Sequence, residues 1–205
     1  SLLKKLRGSS KPSSESGEKK MRMLRRLPKI LKFIPGKSQD LRAWFLAMQY
    51  WLGGTDENIE SMLRFLISRY SRVEGWRGCK TEMPKDYPDV GLYHPDSNGK
   101  IVDSIEDLPK LESPVGTIGI LLMRSYVLSG DTAHYDAVIK RFTEHNIQVI
   151  PAFSGGLDAR PAIEKYFKNS EKSAIDGLLS LTGFSLVGGP AYNDSEAAVS
   201  VLKEL

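Results

Sequence analysis

Between Val115 and Leu205 the sequence repeats one arrangement three times: an apolar run, a glycine-bearing polar turn, then residues at helical spacing. The first run, Val115 to Met123, leads into Arg124-Ser125-Tyr126-Val127-Leu128-Ser129-Gly130-Asp131. The second, Ile147 to Phe153, leads into Ser154-Gly155-Gly156-Leu157-Asp158, and the third, Ile175 to Leu181, into a turn holding Gly183, Gly188, Gly189 and Pro190. Between the runs, Tyr135, Val138, Ile139 and Phe142, and then Ile163, Tyr166 and Phe167, keep a 3.6-residue period. Alternation of continuous apolar strands with amphipathic helices predicts an open parallel sheet whose binding crevice lies at the strand ends. The expected fold class is α/β, with a helical N-terminal segment followed by a Rossmann-like βαβαβα parallel-sheet module over 115–205, truncated at its C-terminal side.

The N-terminal part reads differently. A short helix and a mobile linker fill 1–17, because Gly8 to Gly17 carry no apolar side chain. A helical segment spans 18–72 in three pieces. Met21, Leu24, Leu27, Ile30, Leu31 and Ile34 mark the first, closed by Pro35-Gly36. Leu41, Trp44, Phe45, Met48, Trp51 and Leu52 mark the second, closed by Gly53-Gly54. Thr55 is an expected N-cap, with Asp56 and Glu57 in the first turn of the third, whose apolar series is Ile59, Met62, Leu63, Leu66, Ile67 and Tyr70. Short turns between the three make them antiparallel neighbours. Residues 73–114, broken by glycines and prolines, form an extended connection with a short strand at Val90-Gly91-Leu92-Tyr93 and an acidic turn from Asp103 to Asp107.

Charge divides the chain along the same line. Residues 1–80 hold 18 Lys/Arg against 7 Asp/Glu, whereas residues 81–205 hold 11 against 18. Residues 1–37 alone carry 12 basic and 2 acidic side chains, a composition that suits nucleic acid or an anionic membrane, or equally a solvated helix face or an acidic part of the same protein. Aromatic residues are nearly absent from 1–32, which argues against a stacking platform for single-stranded nucleic acid. No apolar run approaches the roughly 20 residues that cross a bilayer, so a soluble protein is expected. The lone Cys79 excludes an intrachain disulfide or a cysteine-based metal cluster, and fits a reducing compartment. Ser1 at the start and a helical pattern running to Leu205 read as two cut ends of something longer.

Candidate site residues cluster in the three turns. Asp131 is placed as a helix N-cap with His134 in the first turn, where a helix N-terminus disfavours imidazolium and leaves a neutral ring able to bind a metal, pass a proton or only bond a neighbouring loop. Gly155 and Gly156, with Asp158 and Arg160, offer backbone amides and a counter-charge for a carboxylate or phosphate, or simply the turn from strand to helix. Gly188 and Gly189 carry the same two readings. No dinucleotide or P-loop fingerprint, no His-Glu-x-x-His and no Ser-His-Asp spacing is present, so spacing alone names no catalytic residue and assigns no metal site. His94 and His145 stand isolated, His145 near a helix C-terminus where its charge is favourable.

Specific strings carry a resemblance. Leu27-Pro28-Lys29-Ile30-Leu31-Lys32-Phe33-Ile34-Pro35-Gly36, Gln49-Tyr50-Trp51-Leu52-Gly53-Gly54 and Tyr87-Pro88-Asp89-Val90-Gly91-Leu92-Tyr93-His94-Pro95 are three of them. Ser129-Gly130-Asp131-Thr132-Ala133-His134-Tyr135, Phe153-Ser154-Gly155-Gly156-Leu157-Asp158 and Ser180 through Ala191 follow in order. From about Gly17 on, the chain resembles the N-terminal region of the large porphyrin-binding subunit family of magnesium chelatase, to which the cobaltochelatase large subunit is related. The opening Ser1 to Gly8 and a short Asp96 to Pro114 are similar to the bacteriochlorophyll-type form, which implies the cytoplasm of an anoxygenic photosynthetic bacterium.

The resemblance implies an enzyme that inserts Mg2+ into protoporphyrin IX, with ATP hydrolysed by a separate AAA+ ATPase subunit and its companion AAA+-like subunit. It implies no nucleic-acid partner, and a hydrophobic product gives the basic segment a reason to touch a membrane surface. Mg2+ dehydrates reluctantly, and the macrocycle must lose two N–H protons. A neutral histidine and carboxylates suit those protons, while an arginine and glycine amides suit the propionates. Arg124, Tyr126, Asp131, His134, Gly155, Gly156, Asp158, Arg160, Gly188 and Gly189 are the candidates for lining such a crevice. The family's large subunit is several times longer, so the principal active-site residues are expected elsewhere and this chain alone is expected to be inactive. The alternative is an interaction scaffold, docking other domains or subunits without touching porphyrin.

Overall fold

The computed structural model describes residues 27–169, 172–189 and 192–205, so the expected opening helix, the linker and most of the first helical piece lie outside the described residues. The chain divides into two compact units, Ser1–Lys85 and Asp86–Leu205.

In the first unit a helical turn at 27–31 precedes α1 (Ser38–Gly53) and α2 (Asp56–Tyr70). The carbonyls left over at 31–34 are collected by the Gln39 side chain, whose Nε2 donates to the Leu31 oxygen at 2.9 Å and to that of Ile34 at 2.5 Å. Gly54, at φ 63°, ends α1 and donates to the Tyr50 carbonyl. Thr55 is the N-cap of α2, its hydroxyl accepting the Asn58 N–H at 3.3 Å. The helices are antiparallel: Arg69 and Tyr70, at the end of α2, donate to the Asp40 carboxylate at 3.1 and 3.2 Å. Ala43, Phe45, Leu46 and Tyr50 are buried, with the Tyr50 and Phe65 rings 6.0 Å apart. The apolar series of α2 is present but only partly covered, since Leu63 and Tyr70 are exposed.

The second unit is built on five strands: β1 (Val90–Tyr93), β2 (Ile101–Val102), β3 (Gly116–Met123), β4 (Ile147–Ser154) and β7 (Gly177–Ser180). Their order is β2-β1-β4-β3-β7. The three apolar runs are parallel neighbours, with β3 in the centre paired to β4 over its whole length and to β7 from Ile118 to Leu121. The sheet is mixed, however. β1 runs antiparallel to both β2 and β4, so residues 90–102 extend the expected parallel core on one side. The short β5 (Lys168–Asn169) and β6 (Lys172–Ser173), and β8 (Gly188–Gly189) and β9 (Tyr192–Asn193), form two small antiparallel ribbons.

Helices α3 (Arg124–Ser129), α4 (Ala133–Glu144), α5 (Arg160–Tyr166) and α6 (Ser195–Lys203) complete the unit. Alternate strand residues face opposite layers. Tyr93, Ile120, Leu122, Val149 and Phe153 pack with Val127 of α3 and with Tyr135 and Ile139 of α4. Leu92, Leu121, Ile150 and Ala152 pack with Ala162, Ile163 and Tyr166 of α5 and Val201 of α6. A strand covered on both faces must be apolar at every position, which is why β3 and β4 read as unbroken runs. Among the described residues no helix is long and apolar enough to cross a membrane.

Gly53 is set by a close approach. A Cβ there would lie 2.1 Å from Asn58 Nδ2, and the buried Asn58 amide is fixed by accepting the Lys85 N–H at 2.9 Å and donating to the Lys85 carbonyl at 3.0 Å. Gly53→Ala is expected to break that pair and lower unfolding stability by about 2 kcal/mol in a urea titration.

Candidate functional site

β3, β4 and β7 end on one edge of the sheet, and three segments rise from it: 124–132, 154–159 and 181–187. The connection from β3 to β4 carries α4 on one face, whereas the return from β4 past β3 to β7 carries α5 on the other. In an open α/β sheet that reversal opens a crevice between the carboxyl ends of the two strands, here β3 and β4.

The crevice is occupied by the chain itself. Because Val90 of β1 pairs with Ser154 of β4, the residues just before β1 arrive at this edge. Arg124, the first residue after β3, reaches them: its Nε donates to the Pro88 carbonyl at 2.8 Å and its Nη2 to the Tyr87 carbonyl at 3.0 Å, with Asp89 Oδ1 at 3.9 Å. The Gly155 N–H donates to the Asp89 carbonyl. A Cβ on Gly155 would stand 3.0 Å from that carbonyl oxygen and 3.2 Å from Asp89 Cα, so this backbone contact leaves little room for a side chain.

The second and third segments are joined in the same way. Asp158 bridges Val187, the Ala159 N–H donates to the Leu186 carbonyl at 2.8 Å, and the Gly188 N–H donates to the Leu157 carbonyl at 2.9 Å. Ser154 Oγ donates to the Asp158 carbonyl at 2.7 Å. The strand-end edge is therefore one connected crest. The Gly155 and Gly188 amides are engaged inside it, Gly156 takes a left-handed φ of 105°, and Gly189 pairs with Tyr192 in the β8–β9 ribbon.

Arg160 and Asp158 form a two-pronged ion pair. Arg160 Nε lies 3.0 Å from Asp158 Oδ1 and Nη2 lies 2.6 Å from Oδ2, while Oδ1 also accepts the Arg160 backbone N–H at 3.0 Å. The carboxylate raises the guanidinium above its already high pKa. The pair uses the Nε–Nη2 edge, and an arginine fork carries five N–H donors, so the other edge can take a second carboxylate.

His134 is exposed on the first turn of α4, its ring 5.4 Å from Tyr126 edge-on and 3.9 Å from Tyr135. Tyr135 is buried, its hydroxyl accepting the Met123 N–H at 3.1 Å. The expected N-cap at Asp131 is corrected to Thr132. Asp131 instead belongs to the closing turn of α3: its N–H donates to the Tyr126 carbonyl at 3.1 Å after Gly130 at φ 76°, which delays the start of α4. Among the described residues no three His, Cys, Asp or Glu side chains converge as a metal site.

A polar cluster absent from the sequence expectations ties α4 to the sheet. Tyr93 OH lies 2.8 Å from Thr132 Oγ1 and donates to Asp136 Oδ1 at 2.7 Å, and burial pushes its hydroxyl up to about 12. Its neighbour His94 is buried, and its Nδ1 accepts the Asp96 N–H at 3.2 Å. Thr132 and Asp136 stand one helical turn apart, but their partner lies 39 residues earlier for Thr132, beyond any local pattern.

Residues 48–205 match the CobN/magnesium chelatase family, and residues 1–45 match a domain of unknown function. The chain is 62% identical over 204 residues to the large (H) subunit of the magnesium chelatase of Rhodobacter capsulatus, covering 100% of this chain and 17% of that protein. Identity to the corresponding protein of Cereibacter sphaeroides is 58% with the same coverage. To the chloroplastic ChlH protein of rice, also a magnesium-chelatase component, it is 34%, covering 95% of this chain and 15% of that protein. The chain thus spans about one sixth of the length of the first two relatives.

Burial holds the His94 imidazole below its ordinary value, partly offset by the Asp96 and Asp136 carboxylates. A lowered folded value makes its contribution fully present above the ordinary value near 6.5 and lost as pH falls through the folded value. His94→Asn keeps an acceptor for the Asp96 N–H and does not titrate. Between about pH 7.5 and about pH 5 the wild type is expected to lose about 0.5–1 kcal/mol more than this variant in urea unfolding.

Proposed function

The chain belongs to the CobN/magnesium chelatase family, and on that premise we propose that it is a segment of the large subunit of magnesium chelatase, the enzyme that inserts Mg2+ into protoporphyrin IX. On this reading the parallel β4–β3–β7 half is a Rossmann-like module, and its crest supplies one wall of the tetrapyrrole site. The remaining active-site groups, and the AAA+ ATPase subunit and its companion that drive insertion with ATP, lie outside this chain. The isolated chain is accordingly inactive as a chelatase.

One observation carries the reading. Each segment rising from the parallel strands holds out a large apolar side chain to solvent: Tyr126 after β3, Leu157 after β4 and Phe184 after β7. Exposed apolar groups on three neighbouring loops suit a flat, apolar macrocycle better than a small polar metabolite. Arg160 stands among them with a donor edge to offer a propionate. His134 is exposed beside Tyr126 and, as a base, suits a pyrrole proton lost as the metal enters. Mg2+ is cargo here rather than a resident ion.

Titrating this chain with deuteroporphyrin, followed by the Soret band, tests the reading. Saturable binding is expected, weakened about tenfold by Arg160→Ala through loss of a charge-assisted contact. Phe184→Ala is expected to weaken it by several fold through lost apolar contact. Absence of binding by a folded sample, or affinity indifferent to both substitutions, would place the tetrapyrrole elsewhere in the long subunit.

A further inference from the structure

α1 is apolar on two opposite sides. Ala43, Leu46, Tyr50 and Gly53 form a buried row inside the first unit. The same spacing recurs two residues earlier, where Leu41, Trp44, Met48 and Trp51 are 40%, 55%, 37% and 62% exposed, with Leu52 beside them at 44%. An offset of two residues turns an α-helix by about 200°, so the exposed row lies opposite the buried one. A surface helix normally shows charged and polar side chains there, and a helix that is apolar all round is a buried one. Tryptophans in such a row are the side chains that anchor interfaces.

We infer that the row Leu41, Trp44, Met48 and Trp51 is the seat of another segment of the same polypeptide, an apolar face contributed by the large subunit from outside these 205 residues. The inference rests on the reading of this chain as a segment of that subunit. Three observations select this occupant. The relatives' polypeptides are about six times longer than the part matched here, so most of each chain is available to cover the row. α1 also runs across the junction between the two matched regions, 1–45 and 48–205, where two parts of a long chain meet. Finally, a row about 15 Å long and one helix wide falls short of the roughly 1,200 Å² that a stable contact between separate molecules buries. A covalently continuous chain escapes that requirement through its high effective concentration.

Hydroxyl-radical footprinting, read by mass spectrometry at Trp44, Met48 and Trp51, tests this in the 205-residue chain and in the full-length subunit that contains it. Magnesium insertion is assayed on the same full-length preparation. The three side chains are expected to oxidise readily in the short chain and at least about fivefold more slowly in the long one, as for residues entering an interface core. That protection is expected to survive dilution. A photo-reactive p-benzoylphenylalanine at Met48 is expected to give an intramolecular cross-link to a position outside the 205 residues. Trp51→Glu is expected to leave the circular dichroism of the short chain unchanged while restoring oxidation of Trp44 in the long one.

Equal oxidation in both chains, with magnesium insertion intact, would overturn the seat and leave the chelatase reading standing. A folded full-length subunit that neither binds deuteroporphyrin nor inserts Mg2+ would overturn the reading beneath it instead. Protection lost on dilution would show a second copy, and protection that needs anionic lipid vesicles would show a membrane. Protection already present in the short chain would show a cover from within the 205 residues. Each of these three contradicts the inference.

Discussion

The guanidinium of Arg124 is where the strand-end surface is decided. It is largely removed from water, and two backbone carbonyls, of Tyr87 and Pro88, accept its N–H groups in the crevice between β3 and β4. A buried cation without acceptors is costly, and buried carbonyls without donors cost nearly as much, so the side chain and the entering chain stabilise each other. That contact delivers Asp89 to Gly155, whose missing side chain lets the two backbones meet. From Gly155 the second turn continues through Asp158, Ala159 and Leu157 into the third. Tyr126, Leu157 and Phe184 are therefore presented from one supported surface rather than from three independent loops.

Much of this was legible in the sequence because it is written in short-range patterns. β3, β4 and β7 announce themselves as apolar runs, and burial on both sheet faces, by α4 on one and α5 on the other, is the reason. Gly54 and Thr55 mark the turn between α1 and α2 through a left-handed φ and a hydroxyl cap, both local requirements. What stayed hidden depends on distant pairing. The antiparallel addition of β1 to β4 joins residues about sixty positions apart. The Tyr93, Thr132 and Asp136 cluster depends on that same pairing. Asp131 looked like a helix cap because its residue type and position fit one, but the left-handed Gly130 draws it into the end of α3.

The two units differ in how fully they account for their own apolar residues. In Asp86–Leu205 the large side chains of the sheet are covered by helices on both faces, and the exposed ones among the strand-end loops coincide with the proposed ligand surface. In Ser1–Lys85 the described helices leave two tryptophans of α1 more than half exposed. That unit also holds 19 Lys/Arg against 8 Asp/Glu, so its like charge is carried beside the apolar row rather than within it. Family membership gives the contrast a physical sense: one unit carries a finished sheet, the other a helix with a face still to be covered.

The most direct test of a single supported crest is amide hydrogen exchange at Gly155, Ala159 and Gly188 in the wild type and in Arg124→Met. The account predicts slow exchange at all three in the wild type. In the variant, exchange should accelerate first at Gly155 and then at Ala159 and Gly188, with Ile120 and Leu121 in β3 unchanged. Fast exchange at Gly155 in the wild type, or rates indifferent to the loss of the guanidinium, would contradict it and leave three separate loops in place of one surface.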